Sequence, residues 1–154
     1  MLFDLTRIAS NIRRGAYRYI GSGSGRQVYD LGNGYVVKVA KNRKGVAQNE
    51  AEHEISLQDN SGLFAAVIQA SVDHLLIIME KAEQLKHISS VWRYFDVRNN
   101  QELYRIPKIK EAMIQHNLIF DDLCKPHSWG ALNGRPVVID YGFTRSVNRN
   151  YYMR

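Results

Sequence analysis

Two aspartates eighteen residues apart, Asp122 and Asp140, and a lysine set among valines, Lys38, are the side chains through which this chain could do chemistry. Asp140 ends the run Val137-Val138-Ile139, so its carboxylate is delivered at the tip of a buried strand, directly before Tyr141 and the flexible Gly142. Asp122 opens Asp122-Leu123-Cys124-Lys125-Pro126. Lys38 lies in Val36-Val37-Lys38-Val39, where an ammonium is costly to bury unless it reaches a partner. Upstream, Gly21-Ser22-Gly23-Ser24-Gly25 lacks side chains that would hold a triphosphate off, and its bare amides can donate to phosphate oxygens. The set suggests phosphoryl transfer from a nucleotide. Each part also has a plainer reading: a Gly-Ser hairpin, a lysine on an exposed strand face, two loop carboxylates capping turns.

The elements that must position these groups follow from hydrophobic period and turn signals. Leu5, Ile8, Ala9 and Ile12 have helical spacing with arginines opposite, which predicts a short amphipathic helix packed on the body; a membrane surface is the weaker home for so short an apolar face. Strands are predicted at Tyr17–Ile20 and Gln27–Leu31 around the glycine turn, then at Tyr35–Ala40 after the tight turn Leu31-Gly32-Asn33-Gly34. Ala47, Ala51 and Ile55 predict a helix over Val46–Leu57, followed by strands at Val67–Ala70 and Leu75–Met79. Helices are expected at Ile88–Phe95 and at Pro107–Gln115, where proline suits a first turn, with a polar loop at Asp96–Gln101 between them. Ala131–Ile139 reads as a hairpin over Asn133-Gly134.

Composition narrows the function classes. A chain of 154 residues with 45% hydrophobic content can bury one core, as a single compact unit or two small lobes. Apolar runs such as Leu75 to Met79 are far short of the ~20 residues that cross a bilayer, and the N-terminus has no signal-peptide pattern, so a soluble, cytoplasmic protein is expected. Cys124 alone forms no internal disulfide and reads as a loop cysteine rather than a nucleophile. His53, His74, His87, His116 and His127 show no ligand-pair spacing, which argues against structural zinc. No Gly-x-Ser-x-Gly follows a strand, which argues against a Ser-His-Asp hydrolase. The net charge of +6 attracts anions: nucleotide, nucleic acid or an acidic protein. Arg7, Arg13, Arg14 and Arg18 at one end, and Arg145, Arg149 and Arg154 with Tyr151 and Tyr152 at the other, read first as dispersed surface arginines and second as a nucleic-acid contact.

From Gly21 to Gly142, the succession of glycine turn, lysine strand, glutamate helix, two strands, helices, aspartate loop, hairpin and Asp-Tyr-Gly resembles the protein-kinase-like family, above all its short members in bacteria and phages. The resemblance implies an α+β fold in a single kinase-like domain over 1–154. A five-stranded antiparallel small lobe with one helix would span about 15–81, and a truncated, mainly helical large lobe 82–154. It implies ATP with Mg²⁺ or Mn²⁺. Gly21, Gly23 and Gly25 would lie against the triphosphate and Val28 would cover the adenine, with Arg26, where the family has its third glycine, able to meet a phosphate itself. Lys38 would hold the α and β phosphates and pair with Glu52, with Glu54 in reserve. Met79 would border the adenine, and backbone groups of Glu80 and Ala82 would bond its edge. Lys41 is expected in solvent.

By the same resemblance Asp122 orients the attacking hydroxyl, Lys125 steadies the transferring phosphate, and Asp140 is the main metal ligand. Ser128, or less readily His127, stands where the family has a metal-binding asparagine. Phe120 and Asp121 replace the family's histidine and arginine, so control by a phosphorylated activation loop is not expected. Twelve residues follow Gly142, too few for the family's substrate-binding helices. The expected function is a minimal ATP-dependent phosphotransferase of the serine/threonine kinase type, with a protein as substrate or partner. The alternative is a pseudokinase that works by docking to a partner. A kinase for small cationic molecules suits this basic chain less well.

Overall fold

The computed structural model describes residues 2–151 and shows an α+β fold that divides into two units, 1–57 with 66–81, and 58–65 with 82–154. The first unit is built on a five-stranded antiparallel sheet in the order β1-β2-β3-β5-β4: β1 Arg18–Ser22, β2 Arg26–Asp30, β3 Tyr35–Ala40, β4 Val67–Ala70 and β5 Leu76–Glu80. Two helices belong to it, α1 Leu5–Arg13 and α2 Arg43–Gln58.

Strand alternation sorts β3 and β5 into two faces. Val37 pairs with Ile78 and Val39 with Leu76, and this face packs against Ile8 of α1 with Phe3, Leu5, Ala9 and Ile12 around it. The amphipathic N-terminal helix therefore covers the sheet. On the other face Lys38 pairs with Ile77 and Val36 with Met79, and Lys38 points to α2.

Helix α2 is unusual in what it buries: Gln48, Asn49 and Glu52, at helical spacing, with Ile55 as the large apolar member. It starts at Arg43, three residues before the expected Val46, because Asn42 caps it by accepting a hydrogen bond from the Gly45 amide at 3.0 Å. At the turn before β3 the positive φ falls on Gly32 and Gly34 rather than on Asn33. At the later hairpin both Asn133 and Gly134 take it, as a type I′ turn requires.

The second unit holds a three-stranded sheet, β6 Glu83–Gln84, β7 Trp129–Leu132 and β8 Arg135–Val138, with helices α3 Ser89–Tyr94, α4 Asn100–Arg105, α5 Pro107–Gln115, α6 Phe120–Leu123 and α7 Arg145–Tyr151. The expected loop at Asp96–Gln101 gives way to α4 at Asn100, because the Asn99 side chain caps it by accepting from the Glu102 amide at 2.9 Å. The short segment 58–65 is sewn in by Val138 N to Leu63 O at 2.7 Å and Ala65 N to Val138 O at 2.9 Å. Among the described residues no helix is long and apolar enough to cross a membrane.

Candidate functional site

In the first unit the chemistry gathers around Glu52, which is fully buried and takes two cations. Lys38 Nζ donates to its Oε1 at 2.8 Å, while Arg26 donates from Nη1 and Nη2 to Oε1 and Oε2 at 2.7 and 2.9 Å. Arg26 also donates to Asn49 Oδ1 at 3.2 Å, and Asn49 Nδ2 donates to the His74 carbonyl at 2.8 Å. Burial pushes the Glu52 carboxyl up, but the charges and hydrogen bonds of Arg26 and Lys38 outweigh it and hold the group down at about 2. Lys38 is 5% exposed and Arg26 7%. Glu54 is exposed, so the helix offers Glu52 to Lys38. Arg26 thus differs from expectation: its guanidinium engages this carboxylate, in the paired geometry a planar fork favours.

The glycine turn is anchored from α2 and the segment before it. Lys41, exposed as expected, also donates to Ser22 Oγ at 2.8 Å, and Asn42 Nδ2 donates to the Ser24 carbonyl at 3.0 Å. Gly25 serves packing: its carbonyl accepts from the Lys41 amide at 2.7 Å, and a Cβ there would stand 2.9 Å from Gly45 N. Gly21 and Gly23 are different, because a Cβ at either meets nothing within 4 Å. Gly45→Ala, whose methyl would run into the Gly25 carbonyl, is therefore expected to cost about 1–3 kcal/mol in urea denaturation. Gly21→Ala and Gly23→Ala should stay close to the parent.

Val28 is half-buried opposite Lys38 in the β2–β3 register. Met79 is buried in β5. The Glu80 amide donates to the Ala66 carbonyl at 3.0 Å and its carboxylate accepts from the Ala66 amide at 2.9 Å, so of the Glu80 backbone groups expected at a base edge the N–H is already used. Ala82 belongs to the second unit, where its methyl lies against Gly130.

The second unit assembles the carboxylates. Asp122 sits in the short α6, with Lys125 Nζ 3.7 Å from its Oδ1. Burial raises the Asp122 pKa against the pull of Lys125, and the charges of Asp140 and Asp121 raise it further, so Asp122 and Asp140 lie within electrostatic reach of each other. Burial, then Asp121 and Asp122, pushes the Cys124 thiol up as well, which keeps it protonated and a poor nucleophile. Ser128 is 2% exposed, and its carbonyl accepts from the amides of Ile139 at 2.7 Å and Asp140 at 3.4 Å. His127 is exposed.

Two aromatic side chains to which the sequence analysis gave no role hold these loops. Trp129, buried, donates from its indole nitrogen to the Leu123 carbonyl at 2.8 Å, pinning the residue after Asp122. Tyr141 donates to the Ala65 carbonyl at 2.5 Å and packs on Phe64, which in turn meets His116; His116 contacts Asp59 at 3.1 Å. Trp129 follows the aspartate loop in the sequence and Tyr141 follows Asp140, but neither position indicates the carbonyl that the side chain reaches.

The arginines at positions 7, 13, 14, 18, 145 and 149 are all exposed, while Tyr152 and Arg154 of the basic end lie outside the described residues. Among the described residues no three histidine, cysteine, aspartate or glutamate side chains gather as a metal centre. The two units thus define an α+β protein with a buried cation–carboxylate–cation triad in one and a carboxylate pair in the other. No family model matches the chain, and no curated protein matches it.

Proposed function

We propose that this protein is a minimal ATP-dependent phosphotransferase of the protein-kinase-like fold, acting on protein hydroxyl groups. The observation that carries the reading is the Lys38–Glu52 ion pair at 2.8 Å, because it joins the strand lysine and the helix glutamate that the motif order paired. Lys38 binds nucleotide phosphates, and the open backbone at Gly21 and Gly23 lets them approach, while the Gly23 amide itself is held by the Arg26 carbonyl at 2.9 Å. Asp122 takes or orients the proton of the attacking hydroxyl, a role that its raised pKa favours. Lys125 steadies the transferring group.

Asp140, whose amide donates to the Ser128 carbonyl, would be the main ligand of an ion of the Mg²⁺ or Mn²⁺ type that arrives with the nucleotide, with Ser128 beside it. Such an ion needs one or two carboxylates and takes its other ligands from phosphates and water. When bound, it offsets charge on the phosphates. The burial of Ser128 favours a second reading, a pseudokinase that docks to a partner, since a hydroxyl so enclosed is a weak ligand.

The test is transfer from γ-labelled ATP to the protein itself and to a basic test protein, with Mg²⁺ and with Mn²⁺. The expected result is labelled protein from the parent chain and none from Asp140→Ala of unchanged melting temperature. No label with either metal from a folded parent chain would move the assignment to the pseudokinase.

A further inference from the structure

His53 and His74 are twenty-one residues apart in sequence, a separation from which no metal motif can be read, yet the fold brings His53 Nδ1 to 3.2 Å from His74 Nε2. The rings are tilted by 50° with centroids 5.4 Å apart, so they converge through their nitrogens rather than stacking face to face. Two imidazole nitrogens on one tetrahedral ion, each about 2.0–2.1 Å from it, stand about 3.3 Å apart. The observed spacing is that of two neighbouring ligands on a single ion.

Both rings are held in place by the fold. His53 rides on the 16-residue α2. His74 has a left-handed backbone, φ 57°, with its amide donating to the Ser71 carbonyl at 3.0 Å and its own carbonyl taken by Asn49 at 2.8 Å. Both are half-buried, so an ion has access from solvent and water can complete its coordination. The neighbouring Asp73 carboxylate is engaged through Oδ1 by Ser71 Oγ at 2.8 Å and the Leu75 amide at 3.1 Å, which fixes the turn that carries His74.

We propose that His53 and His74 form a two-histidine site for a divalent transition ion such as Zn²⁺, Ni²⁺ or Cu²⁺, separate from the phosphotransfer groups. Binding exchanges one ring-to-ring hydrogen bond for two nitrogen–metal bonds, and the proton that lay between the rings moves through solvent to the far nitrogen of the imidazole that carried it, so both ligating nitrogens present a lone pair. The ligand set excludes Mg²⁺, which demands oxygen. An ion there ties α2 to the turn between β4 and β5, so it stabilises the folded chain by mass action.

The test is calorimetric titration of the full chain with ZnCl₂, NiCl₂ and MgCl₂ at pH 7.5, beside thermal melts with each salt. The expected result is one Zn²⁺ or Ni²⁺ per chain, a raised melting temperature, and no response to Mg²⁺. His53→Gln and His74→Asn, the latter chosen because asparagine tolerates the left-handed backbone, should each weaken binding at least tenfold while melting like the parent without metal. His87→Ala should leave binding unchanged. Zn²⁺ binding that persists at full strength in both variants, or no binding by the parent, would overturn the proposal and leave a simple histidine–histidine hydrogen bond.

Discussion

Glu52→Gln should lower the stability of this protein by about 3–5 kcal/mol, read from urea denaturation beside Glu54→Gln. The amide keeps the volume of the carboxylate but not its charge, so the guanidinium of Arg26 and the ammonium of Lys38 stay buried facing a neutral group. Glu54 is exposed on the same helix, and its amide variant should stay within about 0.5 kcal/mol of the parent. The same triad sets an acid limit. The folded pKa of about 2 lies below the ordinary 4.5, so the unfolded chain binds the proton more readily. Stability from this group is fully present above pH 4.5 and drains away as pH falls towards 2, amounting to roughly 3 kcal/mol. In Glu52→Gln that part of the acid transition should vanish. Equal melting of the parent and Glu52→Gln across this range would show that the triad contributes nothing to stability.

On the proposed reaction, Asp122→Asn should reduce the rate of label transfer by about 100- to 10,000-fold, the range for removal of a positioned general base. Nucleotide affinity should change little, because Lys38 and the glycine turn lie in the other unit. Asp121 provides the control. It is exposed and adjacent, so Asp121→Asn alters the local charge without removing the base and should keep most of the rate. Single-turnover transfer and fluorescent-nucleotide binding, measured on the same preparations, separate the two effects. An Asp122→Asn variant that transfers at the parent rate would remove Asp122 from the mechanism.

Much of the first unit was legible because strand period and turn chemistry agree there. Val36-Val37-Lys38-Val39 is β-branched around a single lysine, and the strands expected around it are those of the sheet. What escaped was decided by side-chain capping and by contacts distant in sequence. Asn42 starts α2 earlier than apolar spacing would, since a cap acts before the first apolar residue, and Asn99 starts α4 where no helix was expected. Arg26 was readable as a cation near phosphates, but its attachment to Glu52 spans 26 positions and depends on the β2–β3 register. Gln48, Asn49 and Glu52 did carry a signal, three polar residues on one helical face, which a search for apolar stripes passes over. Tyr141 and Ala65 lie 76 positions apart, and no local pattern links them.

The polar seating of α2 has a consequence for temperature. Apolar contacts weaken on cooling, because their hydration carries a large heat capacity, whereas exposing polar groups changes heat capacity in the opposite sense. The two helices of the first unit therefore respond differently to cold. Helix α1 rests on Ile8, Val37, Leu76 and Ile78, and its attachment fades towards 0 °C; α2, fastened through Asn49 and Glu52, keeps its hold.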